Sequence, residues 1–173
     1  EELTGHRFLM GVVGVGGLRY DLGPRELQAV VDAHITLRKD FETYLDTILD
    51  TDSLVTRING PGRLDTKTVL AFGGTGVTAR ASGVPSDYRL NHPHLAYSMV
   101  RPEQHIEQRG DVAARLLGRA HEVLTSFGLV ATLAESLRDG PIATPLEAAP
   151  PGASALGYSE SPRGANVHWL MAD

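Results

Sequence analysis

The chain contains no cysteine. It therefore forms no disulfide, builds no zinc–thiolate site and ligates no iron–sulfur cluster from its own residues, which fits a cytosolic setting. A basic excess is missing too: 16 Lys and Arg stand against 21 Asp and Glu, for a formal net charge of −5. That balance leaves no basic stripe for a nucleic acid. No apolar run approaches the ~20 residues that span a bilayer. The nearest, Phe8 to Val15, is broken by Gly11 and Gly14 and closed by Gly16 and Gly17. No secretory leader is expected, because the first residues are the acids Glu1 and Glu2 rather than a basic segment and an apolar run. Glu1 in place of an initiator methionine leads to the expectation of a fragment of a longer chain. Internal repeats are absent.

What is present describes an ordinary soluble fold. At 173 residues, 42% apolar and 21% charged, the sequence is long enough to bury a core. It reads as one domain, or a piece of a larger one. Two glycine clusters invite a phosphate-binding reading and fail it. Gly14-Val15-Gly16 would need a third glycine where Arg19 stands. Gly73-Gly74-Thr75-Gly76 is followed by no Gly-Lys-Ser/Thr. Residues 4–18 are expected to form a short helix ending in glycines. The second cluster is expected to be a flexible turn or a close backbone approach.

Two long helices dominate the pattern. Gly23-Pro24 opens the first, with Pro24 suited to the first turn. Leu27, Val30, His34, Leu37, Phe41, Tyr44 and Ile48 then recur at steps of three and four, as one seam of a helix bundle. To Leu49 this helix is about 38 Å long at ~1.5 Å per residue. His34 lies on the seam and reads as a boundary histidine with one hydrogen bond, or else as a metal ligand. The second helix spans Asp111 to Arg138. Its apolar stripe is Ala113, Leu116, Ala120, Val123, Phe127, Val130, Ala134 and Leu137. Asp111, Arg115, Arg119, Glu122 and Ser126 form a second, polar stripe. It is either a solvated face with Asp111–Arg115 and Arg119–Glu122 pairs, or a polar track facing a partner or a buried channel. Asp139-Gly140-Pro141 marks the end.

Between the helices, residues 53–72 read as short helical turns around a Gly60-Pro61-Gly62 break, with Asp65 capping Thr66 to Ala71. Residues 77–108, punctuated by Pro85, Pro93 and Pro102, read as loop with short turns. His92, His94 and His105 there are polar surface or the start of a divalent-metal site. Residues 141–156, rich in Pro and Ala, read as an irregular or mobile loop. Residues 157–172 read as a hairpin whose corner is Pro162-Arg163-Gly164. The fold class expected is mainly α: two long amphipathic helices of a bundle, a long irregular connection and a small C-terminal β-hairpin. Two such helices cannot shield one another alone, so further helices are expected to complete the bundle.

Several segments, taken in order, resemble the large subunit of membrane-bound, formate-hydrogenlyase-type nickel–iron hydrogenases, a superfamily that includes the 49-kDa subunit of respiratory complex I. Thr4-Gly5-His6-Arg7 with Gly16-Gly17 is similar to the family's opening segment, with Val15 where proline is usual. Gly76, Arg80-Ala81-Ser82-Gly83-Val84, Asp87, Arg89, Pro93 and Tyr97 resemble its Gly…Arg-Ala-Ser-Gly-Val…Asp-x-Arg…Pro…Tyr loop. Gly110-Asp111, Arg115, Arg119, Glu122 and Ser126 resemble its next helix. Glu160-Ser161-Pro162-Arg163-Gly164 with His168-Trp169 resembles its Glu-Ala-Pro-Arg-Gly…His-Trp motif, with Ala165 where an acid is common. The His-Trp pair favours the hydrogenase branch.

The resemblance implies a redox role in a multisubunit complex. It implies a nickel–iron centre held by two Cys-x-x-Cys pairs outside this segment, since soft thiolates suit those metals. An iron–sulfur small subunit would be the direct partner, with membrane-bound subunits beyond it, at the cytoplasmic face of the membrane. The arginine matching Arg163 sits beside that centre, where its fixed charge can polarise dihydrogen or assist a base. Glu160 either holds that loop or guanidinium, or is an exposed strand carboxylate. Arg163 and Glu160 are thus the candidate catalytic residues, and no cofactor or metal ligand is assigned to this chain, which is not competent alone. A quinone-reducing NADH dehydrogenase branch and a non-catalytic scaffold subunit are the alternatives.

Overall fold

A computed structural model describes residues 7–161 and 164–173. The chain is mainly helical with a small antiparallel hairpin, as its periodicities predict. Near the start, β1 (Val13–Gly14) pairs antiparallel with β2 (Gly17–Leu18). This corrects the helix expected over residues 4–18; its residues 4–6 lie outside the described residues. The cause is backbone geometry: Gly11, Gly16 and Gly17 all adopt positive φ, which no right-handed helix accommodates. At Gly17, φ is 149°, and an added Cβ would collide with the Ile142 carbonyl and Ala143. That close approach has a purpose. The Leu18 N–H donates to the Ile142 carbonyl at 2.8 Å, and the Thr144 N–H to the Gly16 carbonyl at 2.9 Å. Residues 142–144, inside the segment expected to be irregular, thereby line up against the first hairpin.

Helix α1 (Pro24–Leu49) starts with Gly23 at the N-cap and Pro24 in the first turn. It packs along the long helix near the C-terminal half, where Phe41 meets Phe127 edge-on at 6.5 Å. The seam differs in detail from its expectation: Leu37 and Tyr44 are exposed, and Leu45 takes the half-buried place. A strict alternation of three and four drifts off the face of a straight helix. His34 donates from Nδ1 to the Val31 carbonyl. Next come α2 (Asp52–Ile58), α3 (Thr66–Ala71), α4 (Gly76–Ala81), α5 (Tyr88–Asn91) and a 3-10 turn at Leu95–Ser98. The Asp65 side chain caps α3, accepting from the Thr68 N–H at 2.7 Å.

Helix α6 (Val112–Ser136) ends two residues before the expected Arg138. Asp111 caps it, accepting from the Ala114 N–H at 2.8 Å, and also binds the Gly60 N–H at 3.0 Å. The last two strands, β3 (Ser154–Ser161) and β4 (Gly164–Met171), pair from Ser154↔Met171 to Ser161↔Gly164. The hairpin is thus three residues longer at its start than expected. The tightest core is made of small side chains: Ala79, Ala81, Ala113, Ala114 and Ala120, with Val69, are fully buried. Among the described residues α1 buries none completely. No described helix is long and apolar enough to cross a membrane.

Candidate functional site

Small residues bring α4 flush against α6. Gly118 sits so close that an added Cβ would lie 3.3 Å from Val77 Cγ1. That packing leaves Arg80, between Ala79 and Ala81, only 4% exposed. A buried guanidinium must find partners or carry a large desolvation cost, and Arg80 finds three by hydrogen bonding, with Asp87 as a further ion-pair partner at 3.9 Å. Nη1 donates to the Ser86 carbonyl at 2.6 Å and to Glu160 Oε2 at 3.1 Å. Nε donates to Glu122 Oε1 at 2.9 Å, and Nη2 donates to the same oxygen. Arg80 therefore joins α4, α6 and the end of β3 at one point. Glu160 Oε1 in turn accepts from the Tyr88 N–H at 2.8 Å, which adds α5 to the knot.

Beside it lies a second ion pair. Asp87, 1% exposed, receives Arg89 Nε on Oδ1 at 3.0 Å and Nη2 on Oδ2 at 2.6 Å. This is the two-pronged geometry at which arginine excels. Burial pushes the Asp87 carboxyl up, but the Arg89 hydrogen bonds and the charges of Arg89 and Arg80 outweigh it, and the group sits below the ordinary carboxylate range. The same hydrogen bond pushes the Arg89 guanidinium further up. Arg89 also lies 5.8 Å from the centre of the Tyr97 ring, within cation–π range.

These groups wall a cleft of about 730 Å³, the size of a small-molecule site. Its wall mixes polar residues, Arg80, Arg89, Arg119, Glu122, Ser126, Glu160 and Ser161, with apolar ones, Val77, Val123, Phe127 and Val130. Behind Glu160 and Tyr88 is a smaller recess lined by Ser86, Asn91, His92, Leu156 and Tyr158. Tyr88 is the hub of the ring contacts there, with centroids 4.3 Å from Tyr158, 5.0 Å from His92 and 5.4 Å from His94.

Glu160 is therefore no exposed strand carboxylate: it holds a guanidinium, that of Arg80. Arg163, with Pro162, lies outside the described residues, although the flanking Ser161 lines the cleft. On the polar stripe of α6, Arg119, Glu122 and Ser126 line the cleft while Arg119 and Ser126 stay exposed, so the stripe both faces a cavity and meets solvent. Its expected local pairs do not form. Asp111 is occupied as a cap, Arg115 donates to the Gly62 and Gly110 carbonyls, and Glu122 reaches Arg80 across 42 residues. Buried long-range partners outcompete pairs worth a few tenths of a kcal/mol. His105 stacks on His121 at 3.7 Å and 14°, away from His92 and His94. Arg80 is the centre of this knot, and the sequence offers it only as part of the Arg80-Ala81-Ser82-Gly83-Val84 motif. Its signal was a charge inside the run Ala79-Arg80-Ala81-Ser82, whose neighbours are too small for an outer face.

A nickel–iron centre does not fit the donors of this chain. It has no thiolate, and the described residues contain no group of three or more His, Asp or Glu that could hold a metal.

Fold and cleft together define a class: a mainly helical chain built around a cleft between a long helix and a C-terminal hairpin. The chain belongs to the family described as respiratory-chain NADH dehydrogenase, 49 Kd subunit, which matches residues 1–157. It is 34% identical over 171 residues to formate hydrogenlyase subunit 5 of Escherichia coli (strain K12), covering 99% of this chain and 30% of that protein. It is 31% identical over 179 residues to an NADH-quinone oxidoreductase subunit of Thermosipho melanesiensis, covering 100% and 49%. A solved structure of the membrane-bound sulfane sulfur reductase, an archaeal respiratory membrane complex, superposes with a TM-score of 0.84 at 26% identity, over 91% of this chain and 45% of that one. The chain thus spans less than half the length of each of these relatives. They carry the names of enzymes or subunits of larger complexes, so the chain is akin to both hydrogenase and NADH-quinone oxidoreductase subunits.

Proposed function

We propose that this chain is the central portion of a hydrogenase-like large subunit, acting on protons and dihydrogen together with an iron–sulfur small subunit. The observation that carries the reading is the knot at the end of β3. Glu160 is fixed by Arg80 and the Tyr88 N–H, and Ser161, which precedes Pro162-Arg163 in the sequence, forms cleft wall. A strand end held this firmly is what a reactive loop needs, because a catalytic group must be positioned to a fraction of an ångström. Arg163 and Glu160 are the residues we assign to the reaction, Arg163 as the charge near the reacting molecule and Glu160 as its anchor. The overall chemistry is dihydrogen exchanged for two protons and two electrons, the electrons passing through the iron–sulfur partner. The thiolates for a nickel–iron centre would come from sequence outside these residues. The complex would lie at the cytoplasmic face of the membrane, bound through its membrane subunits. The His168-Trp169 pair and the 34% identity to a formate hydrogenlyase subunit support this branch. The test is nickel and iron analysis with a hydrogen-uptake assay on the full-length protein. Uptake with nickel present supports the reading; a well-folded preparation without nickel overturns it.

A second reading is supported by the apolar residues of the cleft wall, among them Val123, Phe127 and Val130, which suit a hydrophobic quinone, and by the NADH-quinone oxidoreductase relative. Quinone-dependent electron transfer by a nickel-free full-length complex would favour it.

A further inference from the structure

Two carboxylates face the cleft, and their oxygens are differently employed. Glu160 has both taken, Oε2 by Arg80 and Oε1 by the Tyr88 N–H. Glu122 has one taken: Oε1 receives both Nε and Nη2 of Arg80. Its other oxygen, Oε2, accepts no hydrogen bond among the described residues. The side chain is 30% exposed and lines the cleft. Both Arg80 donors converge on Oε1, which anchors that oxygen and leaves Oε2 without a donor among the described residues. Ser126, one turn on, turns its hydroxyl back to the Glu122 carbonyl at 2.6 Å, so it does not compete for Oε2. Arg119, one turn earlier, donates to the Arg115 carbonyl and pairs with no described carboxylate. The other charged or titratable groups on the wall are Arg89, His94, Tyr88 and Tyr97. Arg89 is paired with Asp87, and the His94 and Tyr88 rings meet at a tilt of 51°. A cleft-lining carboxylate with one oxygen clamped and the other without a protein donor is the arrangement of a proton acceptor and donor.

We propose that Glu122 is the proton-exchanging group of the cleft, handing protons between solvent and the reacting molecule. The inference rests on the oxidoreductase reading above. The step is proton transfer alone. Hydronium on the solvent side gives its proton to Oε2, an O–H bond forming on the carboxylate as one breaks in hydronium. That bond breaks in turn when the proton passes to a reduced, anionic group in the cleft. Running backwards, the same step removes protons during oxidation. No electron moves at Glu122, and Arg80 only positions it, since its guanidinium does not release protons.

The experiment uses the full-length complex with Glu122→Gln, whose amide oxygen still accepts from Arg80. Assembly is checked by co-purifying subunits and thermal midpoint. Turnover should fall at least tenfold at unchanged KM, with a larger solvent deuterium isotope effect. In Glu122→Ala, acetate entering the cleft should restore part of the lost rate. Where Glu122→Gln fails to assemble, Glu122→Asp keeps the charge and retracts the oxygen by one methylene; an intermediate rate with a raised isotope effect is then expected. An assembled variant with wild-type rate and isotope effect overturns the proposal while leaving the oxidoreductase reading intact. A wild-type complex with no redox turnover overturns both.

Discussion

Replacing Arg80 by leucine is the sharpest perturbation of this structure. The change removes a guanidinium that is 4% exposed and leaves Glu160, Glu122 and the Ser86 carbonyl without their donor. Breaking a buried ion pair by deleting one partner costs about 3–5 kcal/mol. Glu122 is partly exposed and water can solvate it, so the lower end applies, about 3 kcal/mol. At ~1.4 kcal/mol per decade, the local opening equilibrium rises about 100-fold. The reporter is the Tyr88 amide, which donates to Glu160 Oε1 and is protected only while that carboxylate is held. Hydrogen exchange of the assembled full-length protein should accelerate by about two decades at Tyr88 and along β3 and β4, with the amides of α1 unchanged. Arg80→Lys retains the charge but not the fork, and should fall between. Acceleration of less than about threefold at Tyr88, or a uniform increase over the whole chain, would refute the view that one guanidinium holds the hairpin end to α4 and α6.

Two further outcomes are expected. Gly110 has φ of 66°, and a Cβ there would run into the Leu64 carbonyl. Gly110→Ala should cost at least about 2 kcal/mol in urea unfolding of the full-length protein, whereas Gly128→Ala, in the open face of α6, should be neutral or mildly stabilising; equal effects would refute the backbone argument. Burial first, and the neighbouring His105 second, push the His121 imidazole below its ordinary value of 6.5, against the weaker pull of Glu103 and Glu107. The folded state then binds fewer protons than the unfolded one, so this stabilisation is complete above 6.5 and is lost as pH falls through the lowered value. Protection of amides in residues 101–109, taken relative to their intrinsic exchange rates, should fall as pH drops below 6.5, and His121→Phe should flatten that dependence; a wild type whose protection is already flat there refutes it.

The sequence makes the helices readable because their signals are local. Gly23-Pro24 and Asp111 mark the starts of α1 and α6, and the periodicity runs almost to their ends. The first segment misled because an apolar run with glycines satisfies either element, and only contact with residues 142–144 decides between them. In the site, the strand end carrying Glu160 was legible from its motif. Its partner was not, because ion pairing across 80 residues leaves no periodic trace. The same holds for Glu122, whose neighbour one turn back, Arg119, offers a plausible pair that the folded chain declines. Arg163 was chosen from resemblance and stands outside the described residues.

The knot at Arg80 also bears on the order in which the molecule assembles. It closes loops of 42 and 80 residues, and the chain entropy of such closures must be met before any contact repays it. Helices form early from near neighbours, so the cleft is completed last. Substitutions at Arg80 or Glu160 accordingly leave the folding rate almost untouched and act on the lifetime of the finished state.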